Sequence, residues 1–308
     1  MLDPRGIYEI DEQAVARLWP APPEPGAGPV LLHAVAGFVD AGSAGELAVE
    51  HLLEVGEVTR VVTFDVDQLL DYRSKRATMT FSGDRWSDYD EPHLVIDHVR
   101  DAEGTGFLLL HGAEPDVQWE RVVAAVRDVV ERLGVSLTVG FHGIPMGIPH
   151  TRPLSVTAHA TRPELLGEHT SWFGTVKVPA SLAALLELRL GRAGHDAVGY
   201  TVHVPHYLAQ SSFAPAAVTA LDQVQRVTGL DLATGGLAEA AQDARAEVER
   251  QVRDSEEVAA VVRALEEQYD AFARSIGRTS LLAESAPIPT ADELGAEFER
   301  FLAQQAGD

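Results

Sequence analysis

The sequence predicts a three-layer α/β/α fold on a mainly parallel mixed sheet, followed by a helical C-terminal extension. Three observations carry this expectation. Short apolar runs alternate with helical stretches from Val30 to Thr228, the strand-like runs stop after Gly229, and amphipathic stripes at helical spacing follow. Strands alternating with helices of this length place crossover helices on both faces of a sheet. The chain has 308 residues, about twice the usual length of one domain, and 45% hydrophobic residues, enough for a sizeable core. The expected division is an α/β core over 1–230 and a helical extension over 231–308.

The elements follow in order. A short strand ends near Ile10, and Pro20 to Pro29 reads as a rigid connector. Val30 to Ala36 is apolar apart from His33 and reads as a buried strand. A glycine-rich turn from Gly37 then leads into a helix, with Ala44, Leu47, Ala48, His51, Leu52 and Val55 at helical spacing. Val58 to Phe64 is the next strand, and Asp65 to His98 is a polar, irregular excursion. Strands over Gly106–Leu110, Val135–Phe141, Leu154–Ala160 and Ala197–Val204 alternate with helices over Trp119–Leu133, Ser181–Leu190 and Ala214–Thr228. The extension carries three amphipathic helices, marked by Leu237 to Val252, by Val258 to Phe272, and by a start at Thr290. There Glu293 three residues on completes a capping box.

Charge and composition remove whole classes of function. Forty-seven acids against 24 bases give a net charge of −23, which repels phosphate backbones and argues against a nucleic-acid partner. The absence of cysteine excludes disulfides, thiolate zinc sites and cysteine nucleophiles. The chain opens without a basic, apolar leader, and no apolar run approaches the ~18 residues of a membrane span. A cytoplasmic protein that engages no membrane is therefore expected. Residues 231–308 hold 17 acids and 7 bases, against 30 and 17 in residues 1–230, so the extension is about twice as acidic per residue.

Three segments carry candidate chemistry. The turn Gly37-Phe38-Val39-Asp40-Ala41-Gly42-Ser43-Ala44-Gly45 joins a strand to a helix, a geometry that presents backbone N–H groups to an anion. It lacks the lysine of a P-loop, and Ala41-x-Ser43-x-Gly45 only approximates a nucleophile elbow. Turn formation and helix capping by Asp40 or Ser43 is the plainer expectation. The second candidate is a rim at the strand ends, where Leu110-His111-Gly112 and Phe141-His142-Gly143 each place His then Gly at the close of an apolar run. Asp40, His111, Glu114, Asp116, His142 and His150 would converge there for acid–base or metal chemistry, although none sits at a local metal-ligand spacing. Neither a cofactor nor a resident metal is expected. The third is the proline- and glycine-rich segment Gly143 to Pro153, with Pro145, Gly147, His150 and Arg152 as a shaped binding rim.

These segments together resemble the proteasome assembly chaperone family, in its bacterial, actinobacterial-looking branch of the second assembly-chaperone type. The resemblance rests on Gly37-Phe38-Val39-Asp40-Ala41-Gly42, on Asp71-Tyr72-Arg73 with Arg76, on Glu114-Pro115-Asp116 with Trp119, and on Gly143-Ile144-Pro145 continuing to Pro149-His150-Thr151-Arg152-Pro153. It spans roughly residues 30 to 230. It implies a phosphorylase/hydrolase-like α/β/α fold and a non-catalytic role on a protein complex, with proteasome subunits as partners and a homo-oligomer, a trimer among its forms, as the working assembly. It supplies no catalytic residues. Chaperones of this kind that dock on the proteasome often end in a hydrophobic-tyrosine-any tail, whereas this chain ends Gln305-Ala306-Gly307-Asp308. The alternative reading is a hydrolase or other small-molecule enzyme that uses the rim of Asp40, Glu114, Asp116, His142 and His150. A third is a small-molecule binding module built on the Gly37–Gly45 turn.

Overall fold

One eight-stranded sheet organises the molecule. The computed structural model describes residues 2–21, 26–37, 39–167, 169 and 174–279. The strands are β1 (Tyr8–Ile10), β2 (Val30–Ala36), β3 (Val58–Phe64), β4 (Met79–Ser82), β5 (Arg85–Tyr89), β6 (Leu94–Arg100), β7 (Gly106–Ala113), β8 (Leu137–Met146), β9 (Val156–Ala160) and β10 (Ala197–Pro205). The helices are α1 (Glu12–Leu18), α2 (Ala44–Val55), α3 (Trp119–Leu133), α4 (Leu182–Arg192), α5 (Ala214–Thr228), α6 (Gly235–Arg253) and α7 (Glu256–Thr279). The sheet runs in the order β1-β3-β6-β7-β2-β8-β10-β9, and β4 pairs with β5 as a separate hairpin. The centre β7-β2-β8-β10 is parallel, while β1, β3, β6 and β9 join through antiparallel pairs.

Period-two alternation divides the apolar residues between the two faces. Leu32, Val139, Phe141, Tyr200 and Val202 pack with Ala48 and Leu52 of α2 and with Ala217 and Leu221 of α5. Leu31, Ile96, Leu108 and Leu110 pack on the other face with Val122, Val126 and Val130 of α3 and with Leu186 of α4. Two buried clusters on opposite faces of one sheet make the three layers. α6 joins the first cluster through Leu237 and Ala241, and α7 buries Val262 and Leu265. No helix among the described residues is long and apolar enough to cross a membrane.

Several expectations need correction. Asp65 to His98 is no simple excursion: it contains the exposed hairpin β4–β5 and the start of β6, whose residues Leu94–Val99 are all buried. Strands β7 and β8 do not stop at His111 and His142 but continue to Ala113 and Met146, because their parallel neighbours keep pairing with them. Strand β9 begins at Val156 and α4 runs from Leu182 to Arg192. The short helix α1 sits between the first strand and the connector, with Asp11 accepting from the N–H groups of Gln13 and Ala14. Within the connector, residues 22–25 lie outside the described residues, as do Phe38 and the helix expected from Thr290.

Candidate functional site

The turn after β2 is built around Asp40. Its Oδ1 accepts from the N–H of Gly143 at 2.9 Å, and its carboxylate accepts from Gly45 N at 2.9 Å and from Glu46 N at 3.0 Å. The positive end of α2 thus receives its anion from the chain itself. Ser43 makes no capping hydrogen bond, so Asp40 is the residue that caps. Gly42 adopts φ 69°, which glycine tolerates, and its N–H donates to the carbonyl of Ala209 at 3.0 Å. The turn closes on β8 so tightly that a Cβ on Gly143 would sit 2.1 Å from the carbonyl oxygen of Ala41.

Glu114 and Asp116 are likewise engaged with backbone. The first accepts through Oε1 from Leu182 N at 2.6 Å, at the start of α4, and the second accepts through Oδ2 from Asp71 N at 2.6 Å. Among the described residues no hydrogen bond joins any two of Asp40, Glu114, Asp116, His142 and His150. Asp40 and His142 are close enough for the carboxylate to favour imidazole protonation, yet burial outweighs it and the pKa of His142 falls below the ordinary value.

Five of the strand histidines divide between the two faces of the sheet. His33 and His142 share the sheet face that carries α4, and His159 on β9 bonds through Nδ1 to Glu187 Oε2 at 2.7 Å. The rings of His33 and His159 lie over Gly140 and Gly199, where any Cβ would collide with them. Burial, then the charges of His142 and His159, push the pKa of His33 down to about 4. His203 also lies near 4 through burial, its ring nitrogens bonded to Ser155 Oγ and Thr157 Oγ1 at 2.8 Å each. His111 lies on the opposite face. It bonds Asp97 Oδ2 at 2.9 Å, and Arg60 Nε donates to Asp97 Oδ1 at 2.5 Å. Burial alone would raise the Asp97 pKa; the hydrogen bonds from His111 and Arg60 prevail and hold it below the usual carboxylate value. His111 and His142 therefore do not meet at one rim. Among the described residues no group of three or more His, Asp or Glu side chains is placed to hold a metal ion.

The segment after β8 is shaped by another part of the chain. Pro145 and Gly147 are exposed, whereas His150 is 8% exposed. The Tyr207 hydroxyl accepts from His150 N at 2.8 Å and makes a second hydrogen bond with Nδ1 at 2.7 Å, so only the other ring nitrogen, Nε2, is left over. That Nε2 is buried without a hydrogen-bond partner among the described residues. Arg152 clamps α7: Nε and Nη2 donate to the two oxygens of Asp270 at 2.9 and 2.7 Å, and Nη1 donates to Glu266 at 3.2 Å. Thr151 Oγ1 donates to the same Glu266, and the Tyr269 hydroxyl reaches the carbonyl of Pro153 at 3.4 Å. Four acids and bases that sequence reasoning passed over, Asp97, Arg60, Glu266 and Asp270, thus decide how these segments are held.

The PAC2 family model matches residues 34–252, which spans both glycine segments and the first helix of the extension. A Mycobacterium tuberculosis protein of unknown function superposes with a TM-score of 0.83 at 46% identity, over 90% of this chain and 92% of that one. A proteasome-assembly chaperone homologue from Mycobacterium tuberculosis shares the fold at 24% identity with a TM-score of 0.69, over 76% of this chain and 99% of the other. An archaeal proteasome activator from Pyrococcus furiosus shares the fold at 16% identity with a TM-score of 0.53, over 73% and 93%. No protein of curated function matches. The family match covers well over half of the chain, and the 46% identical relative is covered almost end to end: the protein belongs to the PAC2 family.

Proposed function

We propose that this chain is a non-catalytic interaction factor that acts in the cytoplasm as a homo-oligomer and binds or assists a protein complex, with proteasome subunits as its partner. The observation that carries the reading is the PAC2 match over residues 34–252, in a fold shared with a proteasome-assembly chaperone homologue and a proteasome activator. The exposed residues where β8 ends and the next segment begins, Pro145 and Gly147, offer a rim for such a partner. In this reading residues 1–230 form the binding core and residues 231–308 an acidic helical extension clipped to it by Arg152.

The test is co-purification of the full-length chain with the proteasome α and β subunits of its own organism, each expressed separately, together with light scattering on the purified protein. A stable complex with one subunit class and a mass above the 33.2 kDa monomer are expected. A monomer that captures neither class overturns the proposal.

A further inference from the structure

The β4–β5 hairpin is unlike the rest of the molecule. Every one of its strand residues is exposed, including the large apolar side chains Met79 (49%), Phe81 (56%), Trp86 (63%) and Tyr89 (44%). Phe81 and Trp86 stack edge to face with centroids 5.1 Å apart, so the hairpin presents an ordered aromatic pair rather than a loose loop. Contiguous exposed apolar surface of this kind marks an interaction site in a soluble protein. Among the described residues the hairpin pairs with no strand of the main sheet.

At the hairpin base lies a cleft of about 510 Å³, open to solvent and lined by Phe64, Asp65, Asp67, Tyr72, Tyr89 and Glu91 among others. Its lining includes two phenol rings and three carboxylates beside Phe64, Val66 and Pro92. Tyr72 donates its hydroxyl to Asp67 Oδ1, and that bond, with burial and the neighbouring charges after it, pushes the Tyr72 pKa up to about 12. The ring is thereby tied to the cleft wall. Arg73, Lys75, Arg76 and Arg85 are close in sequence. Even so, among the described residues neither they nor any other basic side chain pairs with Asp65, Asp67 or Glu91. Elsewhere the arginines find acids readily, as Arg152, Arg162 and Arg189 do.

We infer that this cleft and hairpin form a docking surface for a protein segment that presents a lysine or arginine beside apolar residues. The cation enters between the Tyr72 and Tyr89 rings toward Asp65, Asp67 and Glu91, and the apolar flank lies on Phe81 and Trp86. Carboxylates supply the opposite charge, and the ring faces add attraction for a cation that has left water. The aromatic pair supplies the buried area that makes such a contact more than a surface ion pair. The inference rests on the interaction-factor reading and names a surface and a partner chemistry for it.

The experiment selects 12-residue peptides from a random phage library on the full-length chain and measures the synthesised winners by fluorescence anisotropy. Enriched peptides are expected to carry Lys or Arg next to apolar residues. Their affinity should fall at least about tenfold in Asp65→Asn/Glu91→Gln and separately in Phe81→Ser/Trp86→Ser, with unfolding midpoints unchanged. It should also weaken from 50 to 500 mM salt, to about a third or less. A library that yields no binder, winners without a basic residue, or full affinity in both variants overturns the inference. The two proposals fail separately. Variants that lose the peptides yet still co-purify with proteasome subunits leave the interaction-factor reading standing and this surface without a role in it. A wild-type chain that binds the peptides but no subunit overturns that reading alone.

Discussion

Asp40 and Arg152 anchor the two glycine-bearing segments, and they anchor them by different means. Asp40 engages three backbone N–H groups, two in the first turn of α2 and one on β8. Arg152 engages two side chains of one exposed helix, and both partners keep substantial contact with solvent. A carboxylate that completes backbone groups is part of the fold; an ion pair on a surface helix is a clip that can open while the fold stays intact. The difference teaches that resemblance of sequence segments within a family says little about whether each one builds the core or holds a detachable part.

The comparison breaks most readily at the turn. Asp40→Ala leaves Gly143 N and the α2 amides without their acceptor and should cost about 3 kcal/mol by urea unfolding, with Gly143→Ala at least as severe because its Cβ meets the Ala41 carbonyl. A loss under about 1 kcal/mol for both would mean that the turn is not part of the folding core. Next in size is acid. His33 and His203 have folded pKa values near 4, below the ordinary 6.5, so the unfolded chain binds more protons between pH 6.5 and 4 and stability falls with pH across that window. For His33, fully buried, the loss by pH 4 is on the order of 3 kcal/mol. His33→Gln should flatten the pH dependence of the urea midpoint, and an unaltered slope would place the effect elsewhere.

The clip responds more gently. Arg152→Ala should lower global stability by about 1 kcal/mol or less, yet speed hydrogen exchange in residues 256–274 while the amides of β2 and β8 stay protected. Equal acceleration in α7 and the sheet would erase the contrast with Asp40. The smallest effect is that of salt: raising NaCl to 1 M should accelerate exchange in α7 in the same direction as the mutation, by a factor of about two, and leave the sheet amides unmoved.

Much of the architecture was legible in the sequence because buried parallel strands and amphipathic helices each leave a periodic mark. Val30–Ala36, Val58–Phe64, Trp119–Leu133 and Ala214–Thr228 have the ends their apolar patterns predict. β6 was hidden because Asp97 and His98 interrupt its apolar run, and the burial of Asp97 makes sense only once Arg60 and His111 are beside it. The hairpin was hidden for the opposite reason: with both faces exposed it shows no alternation. At the candidate site, capping by Asp40 follows from its place before α2. The role of Arg152 does not, since Glu266 and Asp270 stand more than a hundred residues further on.

The bond between Asp40 and Gly143 joins residues 103 positions apart, and that between Glu114 and Leu182 spans 68. Contacts that close such long loops form late, after the entropy of bringing distant segments together has been overcome. The turn after β2 therefore takes its final shape only when β8 has been made and docked beside it. A nascent chain shorter than about half its full length holds α2 without the clasp that later fixes its start. Any partner that reads the finished turn reads, in effect, whether the central strands have already come together.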